Sequence, residues 1–185
     1  MNYYNNPYPC PYNNNMLAYN PNIYNSYEMY PYPYWINTPM YDPNYWKKLM
    51  ELRDYGPKPF VINIEEATEQ NENFRLALWT GKHLQLTLMS IGVGEDIGLE
   101  IHPEFDQFLR IEEGQGLVRM GDRKDNLYFQ ARVHEDFAIF VPAGTWHNLI
   151  NTGNKPIKLY SIYAPPAHPH GTVHRTKADA EREHR

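Results

Sequence analysis

The sequence predicts an all-β fold, a sandwich or closed barrel, preceded by a low-complexity arm. Three observations carry this. From Phe60 onward apolar residues recur at every second position in runs of five to nine residues, the period of strands with two unlike faces. Clusters of Gly, Asn, Asp and Pro separate the runs: "TGKH", "GVGED", "EEGQG", "GDRKDN", "PAGTWHN" and "NTGNKP". Helical patterning behind Phe60 is confined to "EEATEQNEN" and the last ten residues. Many short strands at regular spacing are the signature of a sandwich or barrel, which hides its strand edges by doubling or closing the sheet.

The elements follow in order. Residues 1–46 hold twelve of the sixteen tyrosines, eight prolines and eleven asparagines, with Glu28 and Asp42 as their only charges. Proline at this density interrupts both helices and ladders, so the arm is read as low-complexity, Tyr/Asn/Pro-rich and without a core of its own. A short helix is expected next, capped by Asp42, with Pro43 in its first turn and Gly56 at its end. Its residues Tyr45, Trp46, Leu49 and Leu52 fall near one face. The predicted strands are "FVINI", "FRLALWT", "LQLTLMSI", "DQFLRIEE", "QGLVRMG", "NLYFQARV", "AIFVP" and "IKLYSIYAP", and a further strand starts near His147. Glu100 and His102 sit on another strand-like run. Residues 47–166 form the barrel with its preceding helix. Residues 167–185 form a tail carrying His168, His170, His174 and His184, kept extended by Pro169 and ending in a short helix capped by Thr176.

Composition excludes several classes of function. A chain of 185 residues with 42% hydrophobic content supports one ordinary core, and a net charge of −5 offers no attraction to nucleic acid or to an anionic membrane. No apolar run approaches a bilayer span and no signal peptide is evident, so cytoplasmic synthesis is expected. Cys10, the single cysteine, excludes an internal disulfide and a cysteine-rich zinc site.

The chemistry concentrates between Gly94 and Asn151. Glu100 and His102 lie two apart and so face the same way on an extended chain. Gln107, Leu109 and Ile111 share the face that reads as inward, and Gln107 heads it. Pro142 and Gly144 mark a turn, with His147 and Asn151 on the strand that follows.

These spacings resemble the two motifs of the cupins. The first, G-x5-H-x-H-x4-E-x6-G, is matched in spacing by Gly94, Glu100, His102, Gln107 and Gly114, with two residue types changed. The second, G-x5-P-x-G-x2-H-x3-N, is matched by Pro142, Gly144, His147 and Asn151, with Asp136 at the glycine position. The resemblance covers about residues 75–165. It implies a double-stranded β-helix, or jelly-roll barrel, with metal ligands at Glu100, His102, Gln107 and His147. One carboxylate and two imidazoles suit Fe(II), and mixed nitrogen and oxygen donors also admit Mn, Zn or Ni. A second register remains open, in which His102 and Glu104 join His147. Asp106 and Glu112 are expected to face solvent. Glu104 and Tyr128 are candidate acids or bases, although nothing in the sequence selects them.

The expected function is therefore metal-dependent binding of, or action on, a small-molecule ligand. The alternative is a structural building block anchored by the arm, whose composition resembles that of spore coat proteins and suggests coat or self-assembly partners through residues 1–46. The resemblance to cupins also implies a homodimer paired through sheet edges.

Overall fold

The protein is described by a computed structural model over residues 51–183. The arm, the start of the helix behind it and His184 lie outside that range.

The elements are α1 (Ile64–Gln70), β1 (Arg75–Thr80), β2 (Gln85–Ile91), β3 (Gln107–Glu113), β4 (Gln115–Gly121), β5 (Phe129–His134), β6 (Ala138–Val141), β7 (Trp146–Asn151), β8 (Ile157–Tyr163), β9 (Val173–His174) and α2 (Lys177–Glu183). A six-stranded sheet runs β6-β3-β8-β2-β1-β9, and a three-stranded sheet runs β5-β4-β7. All pairings are antiparallel. This is the all-β fold that the alternating runs predict, in the jelly-roll form that the resemblance implies.

Alternation decides what is buried. In β7 the residues His147, Leu149 and Asn151 are buried and their neighbours are not. In β3 Gln107, Leu109 and Ile111 are buried likewise, and the alternation breaks only at Glu112. The main core includes Met89, Ile91, Leu109, Ile111, Val118, Leu149, Ile157 and Leu159, which are side chains from both sheets. A second cluster, Ala67, Leu76, Leu78 and Leu88, packs α1 on the other face of the large sheet. Strands buried on both faces explain why β1 is nearly continuous in hydrophobic residues.

Several expectations are corrected. "FVINI" is not a strand, because Asn63 caps α1 at the Glu66 N–H (3.4 Å) with Glu65 and Glu66 in the first turn. Residues 51–56 are not helical. Gly56 ends no helix; a Cβ there would lie 2.1 Å from the Thr80 carbonyl oxygen, so it serves close backbone approach to β1. Glu112 is buried, 7% exposed, where the β3–β8 register shifts between Ile111 and Glu113. It pairs with Arg110 at 3.1 Å. Burial pushes its carboxyl above the ordinary value, Arg110 opposes this, and the negative charges of Glu65, Asp136 and Glu69 add to it.

The segment after residue 166 contributes to the fold. The His168 N–H donates to Gln85 Oε1, and Gln85 Nε2 donates back to the His168 carbonyl, both at 2.9 Å. β9 then pairs with β1. Thr176 caps α2 as expected, with its Oγ1 accepting the Asp179 N–H (3.3 Å) and Asp179 Oδ2 accepting the Thr176 N–H (2.9 Å). Among the described residues no helix is long and apolar enough to cross a membrane.

Candidate metal centre

The motif positions do local structural work first. Gly144 takes φ 74° in the turn before β7, a conformation open to glycine at no steric cost. Asp136, at the glycine position of the second motif, takes φ 70°. Aspartate tolerates that region better than most residues, and here its Oδ1 also accepts from Arg110 Nη2 at 2.7 Å. Asn151 is buried and fully engaged: Nδ2 donates to the Ile91 and Lys155 carbonyls (both 2.9 Å), and Oδ1 accepts the Gly153 N–H (2.9 Å). Its role is to close the turn into β8. Asp106 faces solvent as expected, and its Oδ1 holds the 142–145 turn through the Ala143 N–H (2.8 Å).

The run around Glu100 is extended but joins no full ladder. It touches β7 through two isolated bridges, Asp96 with Ile150 and Glu100 with His147, and in the second the two residues exchange backbone hydrogen bonds of 3.1 and 2.9 Å. The Gly144 N–H adds a bond to the His102 carbonyl at 2.8 Å. These three bonds lay the segment holding Glu100 and His102 against the strand holding His147.

The side chains converge. Glu100, His102 and His147 each present one donor atom, and these atoms lie within 4.8 Å of one another. Glu100 Oε1 is 3.3 Å from His147 Nε2 and 3.6 Å from His102 Nε2. His147 is 2% exposed. Its Nδ1 lies 3.0 Å from the Thr145 carbonyl, which can only accept, so the ring hydrogen sits on Nδ1 and the Nε2 lone pair faces the cluster. His102 stacks on Phe105 (4.8 Å between centroids) and meets the edge of Tyr163 at 5.8 Å. Both Nε2 atoms are buried and have no hydrogen-bond partner apart from their approach to Glu100 Oε1. Burial alone would push the Glu100 carboxyl up. The neighbouring His102 and His147 imidazoles and the Arg75 guanidinium outweigh that and hold it well below its ordinary value, so it is ionised at neutral pH.

Gln107 is buried beside this cluster's strands, opposite both Tyr163 and Val141 in the sheet. Its Nε2 donates to Ser161 Oγ at 2.9 Å, and its Oε1 is buried without a hydrogen-bond partner. Glu104, the carboxylate of the second register, is exposed and stands outside the convergent group. Tyr128 is also removed from the centre, 71% exposed in an apolar groove lined by Phe129, Phe137 and Phe140. Of the tail histidines, His170 pairs with Asp54 at 3.5 Å rather than with the centre, and His174 is buried on β9.

Two neighbours of the centre were not among the residues singled out from the sequence. Tyr163 is fully buried, and burial raises its hydroxyl above the ordinary value. Arg75 is 2% exposed, with Nη2 4.0 Å from Glu100 Oε2. A signal for it was present. In "FRLALWT" Arg75 alternates with Leu76 and Leu78 in a strand buried on both faces, so its charge had to be turned inward.

A carboxylate and two imidazoles with buried, unsatisfied nitrogen lone pairs are a donor set that could hold a divalent metal ion. Comparison with known proteins agrees with this architecture. Residues 87–163 match the Cupin domain family. The chain is 74% identical over 129 residues to "Uncharacterized protein YrkC" of Bacillus subtilis (strain 168), covering 70% of this chain and 69% of that protein. It is 43% identical over 115 residues to "Uncharacterized protein L612" of Acanthamoeba polyphaga mimivirus, covering 62% and 70%. The crystal structure of BH2720 from Bacillus halodurans superposes with a TM-score of 0.70 at 71% identity, over 70% of this chain and 98% of that one. The two spaced motifs, the pair of antiparallel sheets and the donor cluster between them thus have one common explanation, which is that this chain belongs to the cupin superfamily.

Proposed function

We propose that this cupin holds one divalent metal through Glu100, His102 and His147, with the Gln107 carbonyl oxygen as a fourth donor, and uses it to bind or act on a small molecule. The observation that carries the proposal is the pair of buried imidazole Nε2 atoms that converge on an ionised carboxylate and have no other hydrogen-bond partner. Buried polar atoms are normally satisfied, and a cation satisfies all of these at once. Gln107 enters because its Oε1 is an orphan acceptor while Ser161 orients the amide. The site suits Fe(II), Mn, Zn or Ni. When bound, such an ion supplies Lewis acidity or redox chemistry to a ligand oxygen. The chain's own residues orient and exclude: Thr145 fixes the His147 tautomer, while Phe105 and Tyr163 wall His102 from water.

The alternative, a purely structural block carried by the 1–46 arm, draws support from composition alone. A scaffold has no use for unpaired donors in its interior, so the barrel favours the metal reading.

The test is uptake and stabilisation. Protein stripped with a chelator and titrated with Zn(II) or Mn(II) should bind one ion per chain and unfold at a higher temperature, because a ligand that binds only the folded state stabilises it. Glu104→Ala should behave like the wild type. Loss of uptake in Glu104→Ala alone would support the second register and overturn the ligand set.

We also propose that the homodimer expected by resemblance forms at the edges of β5 and β6. Both are outer strands of their sheets, and Phe129 and Phe140 there are 50% and 70% exposed. Unpaired edges beside a large apolar patch are prone to pair with another chain. In light scattering, Phe140→Lys should shift a dimeric wild type toward monomer. A monomeric wild type would refute the proposal.

A further inference from the structure

Arg75 stands on the inner face of the large sheet, in register with Met89 on β2 and with His174 on β9. Its side chain is 3% exposed. A buried guanidinium is permanently charged and carries five donors. Among the described residues, Arg75 makes one ion pair, to Glu100 Oε2 at 4.0 Å, beyond hydrogen-bond reach, and its buried Nε has no partner. This is far less than a buried guanidinium normally requires.

The two Glu100 oxygens face different neighbours. Oε1 turns to the imidazoles and Oε2 turns to Arg75. On the metal reading, from which this inference starts, Glu100 is a ligand and its charge is committed to the ion. Arg75 is then a second cation beside the first. A cleft of about 450 Å³ opens on both groups and is bordered by Arg75, Glu100 and His102, with Phe74 and Leu99 among its apolar walls. Lys177 also borders it, but its Nζ is tied to Asp96. The other carboxylate on the lining, Glu181, is exposed on α2. The centre therefore carries excess positive charge next to a cavity of small-molecule size, with the Arg75 guanidinium on its lining, over the Phe74 ring, and its Nε unpartnered.

We infer that Arg75 is the anion-recognition group of this centre and that its ligand is a small carboxylate, held by the guanidinium fork and within reach of the metal. A planar, two-oxygen anion matches the fork. A tetrahedral phosphate matches the planar fork less closely, and Lys177, the ammonium on the lining, is already engaged.

The probes are malonate, its uncharged analogue malonamide, and inorganic phosphate, titrated calorimetrically into zinc-loaded protein. Zinc content is measured first and separately. Malonate should bind the wild type, and Arg75→Met should weaken it at least ~10-fold, as expected for losing a charge-assisted bidentate contact, with unchanged zinc content. Arg75→Lys, which keeps the charge but loses the fork, should fall between the two. Malonamide should not bind measurably, and phosphate should bind more weakly than malonate.

Equal malonate affinity in the wild type and Arg75→Met would overturn the inference. So would malonamide binding as tightly as malonate. Phosphate binding as tightly would overturn the carboxylate assignment. If Arg75→Met loses zinc while its remaining loaded sites bind malonate normally, Arg75 only positions Glu100 and the inference fails. A wild type that takes up no zinc would remove the metal reading and this inference together, whereas zinc uptake with malonate binding independent of Arg75 removes this inference alone.

Discussion

Replacing Glu100 with alanine is expected to lower metal affinity by at least about 100-fold, since losing even an outer-shell partner of a metal ligand costs 10–100-fold. Glu100 is the only carboxylate in the convergent group, and its Oε1 lies nearest both imidazoles. Without it, two neutral imidazoles and one amide oxygen remain, with no charge to offset a divalent ion. Glu100→Gln separates charge from donor number. It keeps an oxygen in place, and its affinity should fall well below the wild type yet exceed that of the alanine variant. Direct metal titration with a competing chelator reads both. Equal affinity in wild type and Glu100→Ala would remove Glu100 from the site.

The largest effect on stability is expected at Asp54. Its side chain is 2% exposed and joins three parts of the fold. Oδ1 accepts the Gly56 and Thr80 N–H groups, both at 2.9 Å, and Oδ2 accepts Thr80 Oγ1 at 2.5 Å and the Gly171 N–H at 3.0 Å. The entry segment, the end of β1 and the turn before β9 are thereby held by one carboxylate. Asp54→Ala removes four charge-assisted bonds and leaves their donors to water or to nothing, so a loss of about 3 kcal/mol is expected. Unfolding followed by denaturant titration measures it; a change under about 0.5 kcal/mol, the range of an ordinary surface substitution, would refute the role.

The same carboxylate predicts a pH dependence. Burial pushes the Asp54 carboxyl up, but bonds from Thr80, Gly171 and Gly56 and the nearby His170 outweigh it, so the group is held below its ordinary value when folded. A depressed acid stabilises the fold above its unfolded value, about 3.9, and that contribution is lost as pH falls through the folded value. Wild type should therefore lose stability on acidification below about pH 4 more steeply than Asp54→Ala.

The strands and the centre differ in how far the sequence reveals them. Among the described residues, eight of the nine strands are visible as period-two runs, because one face of each must be buried. β9 is only two residues long, too short to show a period, and its pairing depends on β1 being present. "FVINI" alternates like a strand, yet Asn63 and two glutamates favour a helix start, and local capping wins. Glu112 reads as exposed by strict alternation, but it is buried beside Arg110 at a register shift in β3. At the centre, spacing pointed to Glu100, His102 and His147, whose side chains converge, but could not separate Glu100 from Glu104, which differ by their backbone contacts to β7. Arg75 lies far from the motifs in sequence, and only the pairing of β1 with β2 brings it to the inner face.

Pulsed electron paramagnetic resonance on protein loaded with one Mn(II) per chain would count the coordinated imidazole nitrogens directly. This account predicts two, falling to one in His147→Ala and in His102→Ala. A spectrum with no histidine nitrogen, or one unchanged in both variants, would contradict it.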